Sequence, residues 1–437
     1  MPRISDLPSE TDVIVVGAGA AGLIASVYAA SGMSDGNDAK AVRKRVLLIE
    51  KNDKTGKKIY ITGKGRCNFT NACDTEDVFR HVVTNAKFLY SSVYGFTNHD
   101  VIRRFSEWGL KVKEERGGRM FPISDHASDV TRMLERKCDE QGVLIALGRK
   151  VIELIISDNR ERVTGVRLED GTEVLSPKVI LATGGLSYPS TGSTGDGYRM
   201  CEAVGHEIIP TRPGLTGINT LESWVQELQG LTLINTSQVI YDDISGKRKR
   251  LMDGFGEVLF THFGVSGPFV LTASSVIGDV INDHPVSMEI DIKPALDLNQ
   301  LDERLLREIA SDGKKSIGNL MNRLLPPSLT PVLMEVAGVD QSVRGVDLTR
   351  EDRLKLVKTM KSFRVTLTGT RGFEEAVITR GGVSVKEVNP HTMESKKISG
   401  LYFAGEILDV DALTGGYNLQ IAWSTGHQAG TACSGPV

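Results

Sequence analysis

The chain has few cysteines, few aromatic residues and no long apolar run: of its 437 residues, five are cysteine and 6% are aromatic. The cysteines are odd in number and lack the paired spacing of a metal site, so we expect no metal and a reducing, cytoplasmic environment. Because no segment approaches the roughly 20 apolar residues of a membrane span, no membrane partner is expected. The N-terminal segment also lacks the apolar centre of a signal peptide.

Clustered positive charge is scarce as well. The net charge is −3, and the dense basic runs are Arg43–Arg45 and Lys247–Arg250, the second at a predicted hairpin tip. Proteins that act on RNA usually carry a broader basic stripe, so we expect no nucleic-acid partner and favour a small-molecule substrate. The length exceeds that of one ordinary hydrophobic core and predicts two or three domains.

A glycine motif near the N-terminus is the strongest feature that is present. Residues 13–16 are consecutive apolar residues, which predicts a buried parallel strand. The next six residues fit G-x-G-x-x-G and precede a helix of small apolar residues. This spacing allows a tight turn at Gly17, approach of a pyrophosphate at Gly19 and close helix packing at Gly22. Glu50 ends a second apolar strand, where a carboxylate can accept hydrogen bonds from an adenosine ribose.

Two further strands end in glycine-rich turns. ATGG at 182–185 leaves unhindered backbone at the end of a predicted strand, and so does AGE at 404–406. A last helix begins after Gly415 and Gly416, and its N-terminal N–H groups can face the C2 carbonyl of an isoalloxazine ring. Three such strand ends from distant parts of the chain predict one long dinucleotide, and FAD is the cofactor that fits.

Several stretches carry a resemblance to a known family. The sequence resembles the BaiN/RdsA-type, or aminoacetone-oxidase-type, NAD(P)/FAD-dependent oxidoreductases, which are related in fold to fumarate reductase flavoproteins. The resemblance implies an α/β fold with a FAD-binding Rossmann-type domain built from both chain ends, an inserted β (barrel-like) domain and a helical subdomain. The stretches that carry it are 62–71, 117–130, 182–198, 261–271, 378–388, 392–396 and 401–426.

The change from α/β patterning to short strands, and then to charged helices, sets the expected domain boundaries. They are the first part of the FAD domain at 1–203, a β domain at 204–294, a helical subdomain at 295–360, return strands of the β domain at 361–380 and the second part of the FAD domain at 381–437.

The motifs and the resemblance together predict the residues that hold FAD. Two positions depart from the family: Lys64 replaces a small or polar residue and puts a positive charge beside the expected flavin, and Ala412 replaces a glycine. The predicted FAD-binding residues are Gly17, Gly19, Ala20, Ala21, Gly22, Glu50, Lys51, Lys58, Gly63, Lys64, Gly65, Arg66, Cys67, Asn68, Val151, Thr183, Gly184, Gly185, Gly405, Glu406, Asp411, Gly416, Tyr417, Asn418 and Gln420.

Three residues are candidates for catalysis. His262 lies in a glycine loop of the inserted domain and could act as an acid or base near pH 7, or serve a structural hydrogen bond. Arg119 could hold a carboxylate with its planar guanidinium, or pin its own loop. Lys64 is the third candidate. A redox dithiol is disfavoured, because five residues separate Cys67 from Cys73 and a helix would turn the two thiols to different faces.

These features predict an enzyme that transfers a hydride between flavin N5 and a small organic substrate. No second glycine fingerprint follows a strand in residues 140–370, so NADH or NADPH would dock only transiently as reductant. One alternative is oxidation of a small amine of the aminoacetone type by oxygen. Another is a FAD-binding protein that acts as an RNA or protein partner.

Overall fold

The computed structural model of the chain describes residues 7–31, 43–244 and 248–435. The chain divides into two compact units. The sheet unit is Met1–Pro213 with Phe373–Val437, and the barrel unit is Gly214–Gly372. The expected boundaries at 203/204 and 380/381 therefore lie ten residues before and eight residues after the changes between units at 213/214 and 372/373. Lys247, the first residue of the second basic run, lies outside the described residues.

The strands of the sheet unit come from both of its chain segments. Along the sequence they precede and follow the strands of the barrel unit, β13 to β18. In chain order the strands are β1 (Val13–Val16), β2 (Val46–Glu50), β3 (Thr70–Asn71), β4 (Val82–Thr84), β5 (Val112–Glu115), β6 (Arg119–Pro122), β7 (Leu144–Leu147), β8 (Val151–Ile156), β9 (Val163–Leu168), β10 (Glu173–Leu175), β11 (Val179–Leu181), β12 (Ile208–Gly214), β13 (Ile218–Thr220), β14 (Thr232–Asp242), β15 (Lys249–Phe260), β16 (Gly264–Ser266), β17 (Val286–Asp291), β18 (Phe363–Thr370), β19 (Ile378–Val383), β20 (Leu401–Phe403) and β21 (Asp411–Ala412).

The α-helices follow the same division, with α8 to α13 in the barrel unit and the others in the sheet unit. They are α1 (Ala20–Ser31), α2 (Lys57–Ile61), α3 (Thr75–Arg80), α4 (Tyr90–Gly95), α5 (Asn98–Glu107), α6 (Ala127–Glu140), α7 (Asp196–Ala203), α8 (Pro268–Val276), α9 (Gly278–Asp283), α10 (Leu298–Asp312), α11 (Ile317–Met321), α12 (Leu329–Ala337), α13 (Arg350–Lys361) and α14 (Tyr417–Ser434). None of these helices is long and apolar enough to cross a membrane.

A five-stranded parallel sheet organises the sheet unit, in the order β20-β11-β1-β2-β7. All four residues of β1 are buried, as expected for a parallel strand covered on both faces. Helix α14 packs against α1 through small residues, since a Cβ added at Gly426 or Gly430 would overlap the backbone of α1. The C-terminal helix thereby fixes the helix that follows the glycine motif.

The barrel unit is a closed six-stranded barrel in the order β13-β16-β15-β14-β17-β18. Apolar residues of its helices, among them Leu305 and Leu356, belong to the same buried cluster as Ile290 and Phe363 of the barrel strands. The helical segment therefore shares one hydrophobic core with the barrel. The predicted fold class, an α/β Rossmann-type domain built from both chain ends around an inserted barrel-like domain, is confirmed.

Candidate functional site: a dinucleotide cavity in the sheet unit

A cleft opens at the carboxyl ends of the parallel strands of the sheet unit, with about 1360 Å³ of space between protein atoms, including solvent at its mouth. Its lining contains the ends of β1 and β2, and residues that directly follow β11 and β20. Open α/β sheets bind ligands at this edge. The predicted FAD-binding residues that line it are Gly17, Gly19, Ala20, Ala21, Glu50, Lys51, Lys58, Val151, Thr183, Gly184, Gly405, Glu406 and Asn418.

The glycine motif forms the turn that its spacing predicts. Gly17 has a φ of 101°, and its N–H donates to the carbonyl of Ile49 at 2.8 Å. A Cβ at Gly22 would overlap the carbonyl oxygen of Gly17, so Gly22 sits behind the cavity wall and lets α1 approach β1. A Cβ at Gly19 would meet nothing within 4 Å. The backbone at Gly19 therefore borders open space at the N-terminus of α1, which suits an anion.

Glu50 has two roles at the end of β2. It is 8% exposed and lines the cavity. One carboxylate oxygen accepts from the N–H of Ala18 at 2.8 Å, and the other accepts from the backbone and side chain of Asn52 at 2.9 and 2.7 Å. The carboxylate thus braces the glycine turn. A carboxylate has about four acceptor sites, so capacity remains for a ribose hydroxyl.

On the other side of β1 the wall is formed by the residues after β11. The Thr183 hydroxyl is buried and has no hydrogen-bond partner among the described residues. Gly184 has a φ of 70°, a backbone conformation that favours glycine. A Cβ at Gly185 would overlap Thr379, so Gly185 lies behind the wall. The hydroxyl oxygen itself is closed off from solvent and lies beside Gly197 of α7, where an added Cβ would come within 2.1 Å of it.

Glu406 and Lys58 form an ion pair in this wall. The Lys58 ammonium donates to Glu406 Oε2 at 2.7 Å and also to the Ser187 hydroxyl. Glu406 Oε1 accepts from the Ser187 hydroxyl and from the N–H of Thr379, both at 2.7 Å. Residues far apart in the chain are therefore joined at one point of the cavity wall.

A second group of predicted residues lies outside the cavity lining, in the loop 63–68. Arg66 donates to Asp125 at 2.8 Å, pairs with Glu115 and covers the Phe121 ring at 4.2 Å. Cys67 is fully buried, and burial raises the pKa of its thiol to about 12, so it is no nucleophile. Asn68 Oδ1 is buried without a partner in the described parts of the chain. Gly63 and Gly65 have positive φ, of 57° and 85°.

The remaining predicted FAD contacts cluster around the start of α14. Tyr417 stacks on His81 at 4.1 Å, and a Cβ at Gly416 would overlap Thr70. Gln420 is fully buried and bonds Thr70, Phe96 and Ser424. Asp411 is 1% exposed, lies 3.9 Å from Arg380 and is not in the cavity lining. Burial raises the pKa of the Asp411 carboxyl. The direct FAD contacts of Gly416, Tyr417, Gln420 and Asp411 stay predictions.

The three candidate catalytic residues are not brought together by this cavity. Arg119 is exposed and its Nε donates to the carbonyl of Arg116 at 3.1 Å. Lys64 is exposed in the left-handed conformation, with a φ of 58°. His262 belongs to the barrel unit, where it is exposed beside the Phe263 ring.

Sequence reasoning missed several polar residues of the cavity lining. Asn52 supports Glu50, and Asp196 pairs with Lys51 at 2.5 Å. Arg149 and Lys150 follow β7, which lies at the edge of the parallel sheet. The position of Arg149 and Lys150 after a strand was a usable signal, since the strand over 143–147 is visible in the sequence. The sequence around Thr379 gave no such signal, because the role of Thr379 depends on its contacts with Glu406 and Gly185, which are far away in the chain.

The residues present fit FAD on structural grounds. The backbone of the glycine turn borders open space, a carboxylate ends β2, and Gly184, with its positive φ, lies in the opposite wall. The lining contains several apolar residues as well, including Val16, Ile49 and Val410. This fold and this cavity define a dinucleotide-binding protein of the type that holds FAD.

The family follows from comparison with known proteins. The sequence profile described as HI0933-like protein Rossmann domain matches residues 11–432, so the chain belongs to this family and the resemblance is confirmed. It is 32% identical over 423 residues to a ribosomal RNA dihydrouridine synthase of Haemophilus influenzae, covering 96% of this chain and 98% of that protein. It is 30% identical over 421 residues to the 3-dehydro-bile acid delta(4,6)-reductase of Clostridium scindens, covering 96% and 98%.

A solved structure supports the fold. The 3-ketosteroid-delta4-(5alpha)-dehydrogenase from Rhodococcus jostii RHA1 aligns with a TM-score of 0.54 at 15% sequence identity, covering 99% of this chain and 98% of that one. At this identity the likeness concerns the fold alone. It agrees with the arrangement of a parallel nucleotide-binding sheet and an inserted unit within one chain.

Proposed function

We propose that this oxidoreductase reduces a carbon–carbon double bond conjugated to a carbonyl group, with NADH or NADPH as electron donor. The observation that carries the proposal is the cavity at the carboxyl edge of the parallel sheet, whose lining includes both Glu50 and Glu406. When bound there, FAD supplies a hydride acceptor and donor at N5. Because the sequence offers one glycine fingerprint, the nicotinamide donor binds transiently.

The names of the relatives support this class of reaction. A delta(4,6)-reductase of a 3-dehydro-bile acid removes double bonds conjugated to a ketone, and a dihydrouridine synthase saturates the uracil double bond beside a carbonyl. Both chemistries add a hydride at one carbon and a proton at its neighbour. The shared element is the conjugated carbonyl, which makes the hydride-accepting carbon electrophilic.

The chain's own groups would bind and orient the cofactor and shield it from water. The N–H groups at the start of α1 would hold the diphosphate, Glu50 would hold the adenosine ribose, and the backbone at Thr183 and Gly184 would border the flavin half. Apolar lining residues such as Val16 and Ile49 keep water away from the cofactor. We retain His262, Arg119 and Lys64 as the proposed groups that bind the substrate carbonyl or move its proton.

A second candidate substrate is a uracil base within ribosomal RNA. The observation that favours it is the 32% identity to a ribosomal RNA dihydrouridine synthase over 96% of the chain. Charge argues the other way, because three residues of the two basic runs, Arg45, Arg248 and Arg250, each pair with a carboxylate. The two substrates share the reductive half-reaction, in which the nicotinamide reduces the flavin, and they differ in the oxidative half-reaction, so a direct comparison separates them.

The test has two anaerobic steps. Protein loaded with FAD is first mixed with NADH or NADPH in a stopped-flow instrument, and absorbance near the oxidised-flavin band is followed. The reduced protein is then mixed with 2-cyclohexen-1-one or with an unmodified ribosomal RNA transcript. Free FAD at the same concentration is the control for reaction without protein.

Fast bleaching by a nicotinamide, followed by recovery with the enone, supports the proposal. Recovery with the transcript alone, together with retention on a heparin column, moves the substrate to RNA. If neither nicotinamide bleaches the flavin at saturation while aminoacetone does, the reductase proposal fails and the amine-oxidase alternative replaces it.

A further inference from the structure

The order of the parallel strands determines which half of the dinucleotide lies on which side of β1. Glu50 ends β2, and Arg149 follows β7, so the adenosine side is the β2-β7 side. Thr183 follows β11 and Glu406 follows β20, on the other side of β1. A dinucleotide whose diphosphate sits on the turn after β1 therefore places its flavin half toward β11 and β20.

Lys58 and Glu406 carry opposite charges on this flavin side. Their side chains are 23% and 21% exposed, and the ammonium and carboxylate lie 2.7 Å apart. Both residues line the cavity. Charges that are partly removed from water act over longer distances than surface charges, because less solvent screens them.

The carboxylate is held in one position. Ser187 and the N–H of Thr379 donate to Glu406 Oε1, while Lys58 holds Oε2. Thr379 is fixed in turn, since its hydroxyl accepts from the N–H groups of Leu186 and Ser187 at 2.7 and 3.0 Å. A pair with this much support keeps its charges at fixed points of the cavity wall.

We propose that Lys58 and Glu406 act on the reduction potential of the bound flavin in opposite directions, as an ion pair in which each charge offsets the effect of the other. Two-electron reduction adds negative charge to the flavin when one proton is taken up. A cation nearby stabilises the reduced form, and an anion nearby opposes it. The inference concerns the cofactor site alone and does not depend on the identity of the electron donor or substrate.

The test measures the flavin midpoint potential in four variants of the full chain loaded with FAD. Lys58→Met leaves the Glu406 carboxylate uncompensated and lowers the potential. Glu406→Gln leaves the ammonium uncompensated and raises it. Each change alters the reduced-to-oxidised ratio at a fixed solution potential by about tenfold, equivalent to about 30 mV for a two-electron couple. The double variant returns close to the wild-type potential, and Lys58→Arg, which keeps the charge, stays there.

A matched pair outside the cavity provides the control. Lys397 and Glu387 form a lysine–glutamate pair at 2.6 Å in the same unit, and neither lines the cavity. Lys397→Met should leave the potential unchanged. The FAD dissociation constant and melting temperature of every variant are measured in parallel, which separates a potential shift from loss of cofactor or fold.

Opposite shifts for Lys58→Met and Glu406→Gln support the proposal. It is overturned if both shifts have the same sign, or if both potentials stay within threefold of the wild-type ratio with FAD still bound. If Glu406→Gln binds no FAD, the midpoint potentials of Lys58→Met and Lys58→Arg are compared instead. Equal potentials for these two variants contradict the proposal.

Discussion

Two regions of the sheet unit were both predicted to hold FAD, and they are built differently. The cavity edge, from the turn after β1 to the residues after β11, presents backbone and glycines, among them Gly17, Gly19 and Gly184. In the loop 62–68, by contrast, the Arg66 guanidinium donates hydrogen bonds to the carboxylates of Asp125 and Glu115. The first region leaves backbone open to a ligand, whereas the second engages Arg66 within the protein and leaves the buried Asn68 Oδ1 without a partner among the described residues.

The difference shows what each motif requires. At the cavity edge the ligand needs close approach to the main chain, which demands glycine at fixed spacing and therefore leaves a readable pattern. In the loop the pattern is equally distinct, but its glycines and positive φ values serve a tight local fold: Gly63, Lys64, Gly65 and Cys67 all have φ between 57° and 85°. A distinctive motif therefore predicts an unusual backbone conformation, but it does not by itself predict a contact with a ligand.

The largest expected effect separates folding from binding within the glycine turn. Gly22→Val would force a side chain into the Gly17 carbonyl, so we expect a loss of roughly 3 kcal/mol or more in the free energy of unfolding and no FAD binding. Gly19→Ala points its methyl into open space, so the fold remains and FAD affinity falls by about tenfold or more. Chemical denaturation and fluorescence titration of the apoprotein measure the two effects. Equal FAD affinity in Gly19→Ala and wild type would show that no ligand approaches this backbone.

The next effect compares two threonines of the cavity wall. Thr183→Val removes a hydroxyl that has no described partner and is closed off from the cavity, so stability should change by no more than about 1 kcal/mol and FAD affinity by no more than about twofold. Thr379→Val removes the acceptor of two backbone N–H groups and should destabilise the apoprotein by about 1–3 kcal/mol. Isothermal titration and urea denaturation provide the readouts. The opposite ranking of the two variants in stability would contradict the geometry.

A pH-dependent effect is expected from Asp411. Burial raises the pKa of its carboxyl, so the folded protein holds the proton more tightly than the unfolded chain does. The stability contributed by this group is present below the unfolded pKa of about 3.9 and is lost as the pH rises through the folded pKa. The free energy of unfolding of Asp411→Asn, relative to wild type, should therefore increase from acid to neutral pH. A relative increase toward acid pH would mean that Arg380 dominates over burial.

The smallest effect is expected in the loop. Because Arg66 is engaged by two carboxylates, Arg66→Met should leave the FAD dissociation constant within about twofold of wild type. The pKa of Asp125 is lowered, first by Lys113 and then by Arg66. The stability from this carboxylate is present above its unfolded pKa and is lost as the pH falls through the lowered folded pKa, so the variant's modest loss should disappear in acid. A tenfold weaker FAD affinity would show that Arg66 leaves its carboxylates to bind the cofactor.

The sequence was sufficient for the fold class and for the backbone part of the site. A buried apolar strand, a glycine turn and an acid at the end of the next strand predict the turn after β1 and Glu50 without knowledge of tertiary contacts. Side-chain partners are a different problem. Lys58 and Glu406 are 348 residues apart, and their pairing depends on β20 lying next to β11. The partners of Arg66 and the packing of Gln420 also depend on loops whose register no local pattern encodes.

The domain limits illustrate the same point. The predicted boundary at 203/204 lies ten residues before the change of unit, because the segment up to Pro213 belongs to the sheet unit, where β12 pairs with β19. Pairing between strands far apart in sequence decided that boundary. Composition alone could not place this boundary, because the sequence of β12 resembles that of the short strands that follow it.

The most direct measurement is a crystal structure of the protein with FAD. The account predicts the diphosphate at the N-terminus of α1, the adenosine ribose at Glu50 and the isoalloxazine ring on the side of Thr183 and Glu406. An isoalloxazine ring on the side of Glu50, or FAD bound away from the glycine turn, would contradict it.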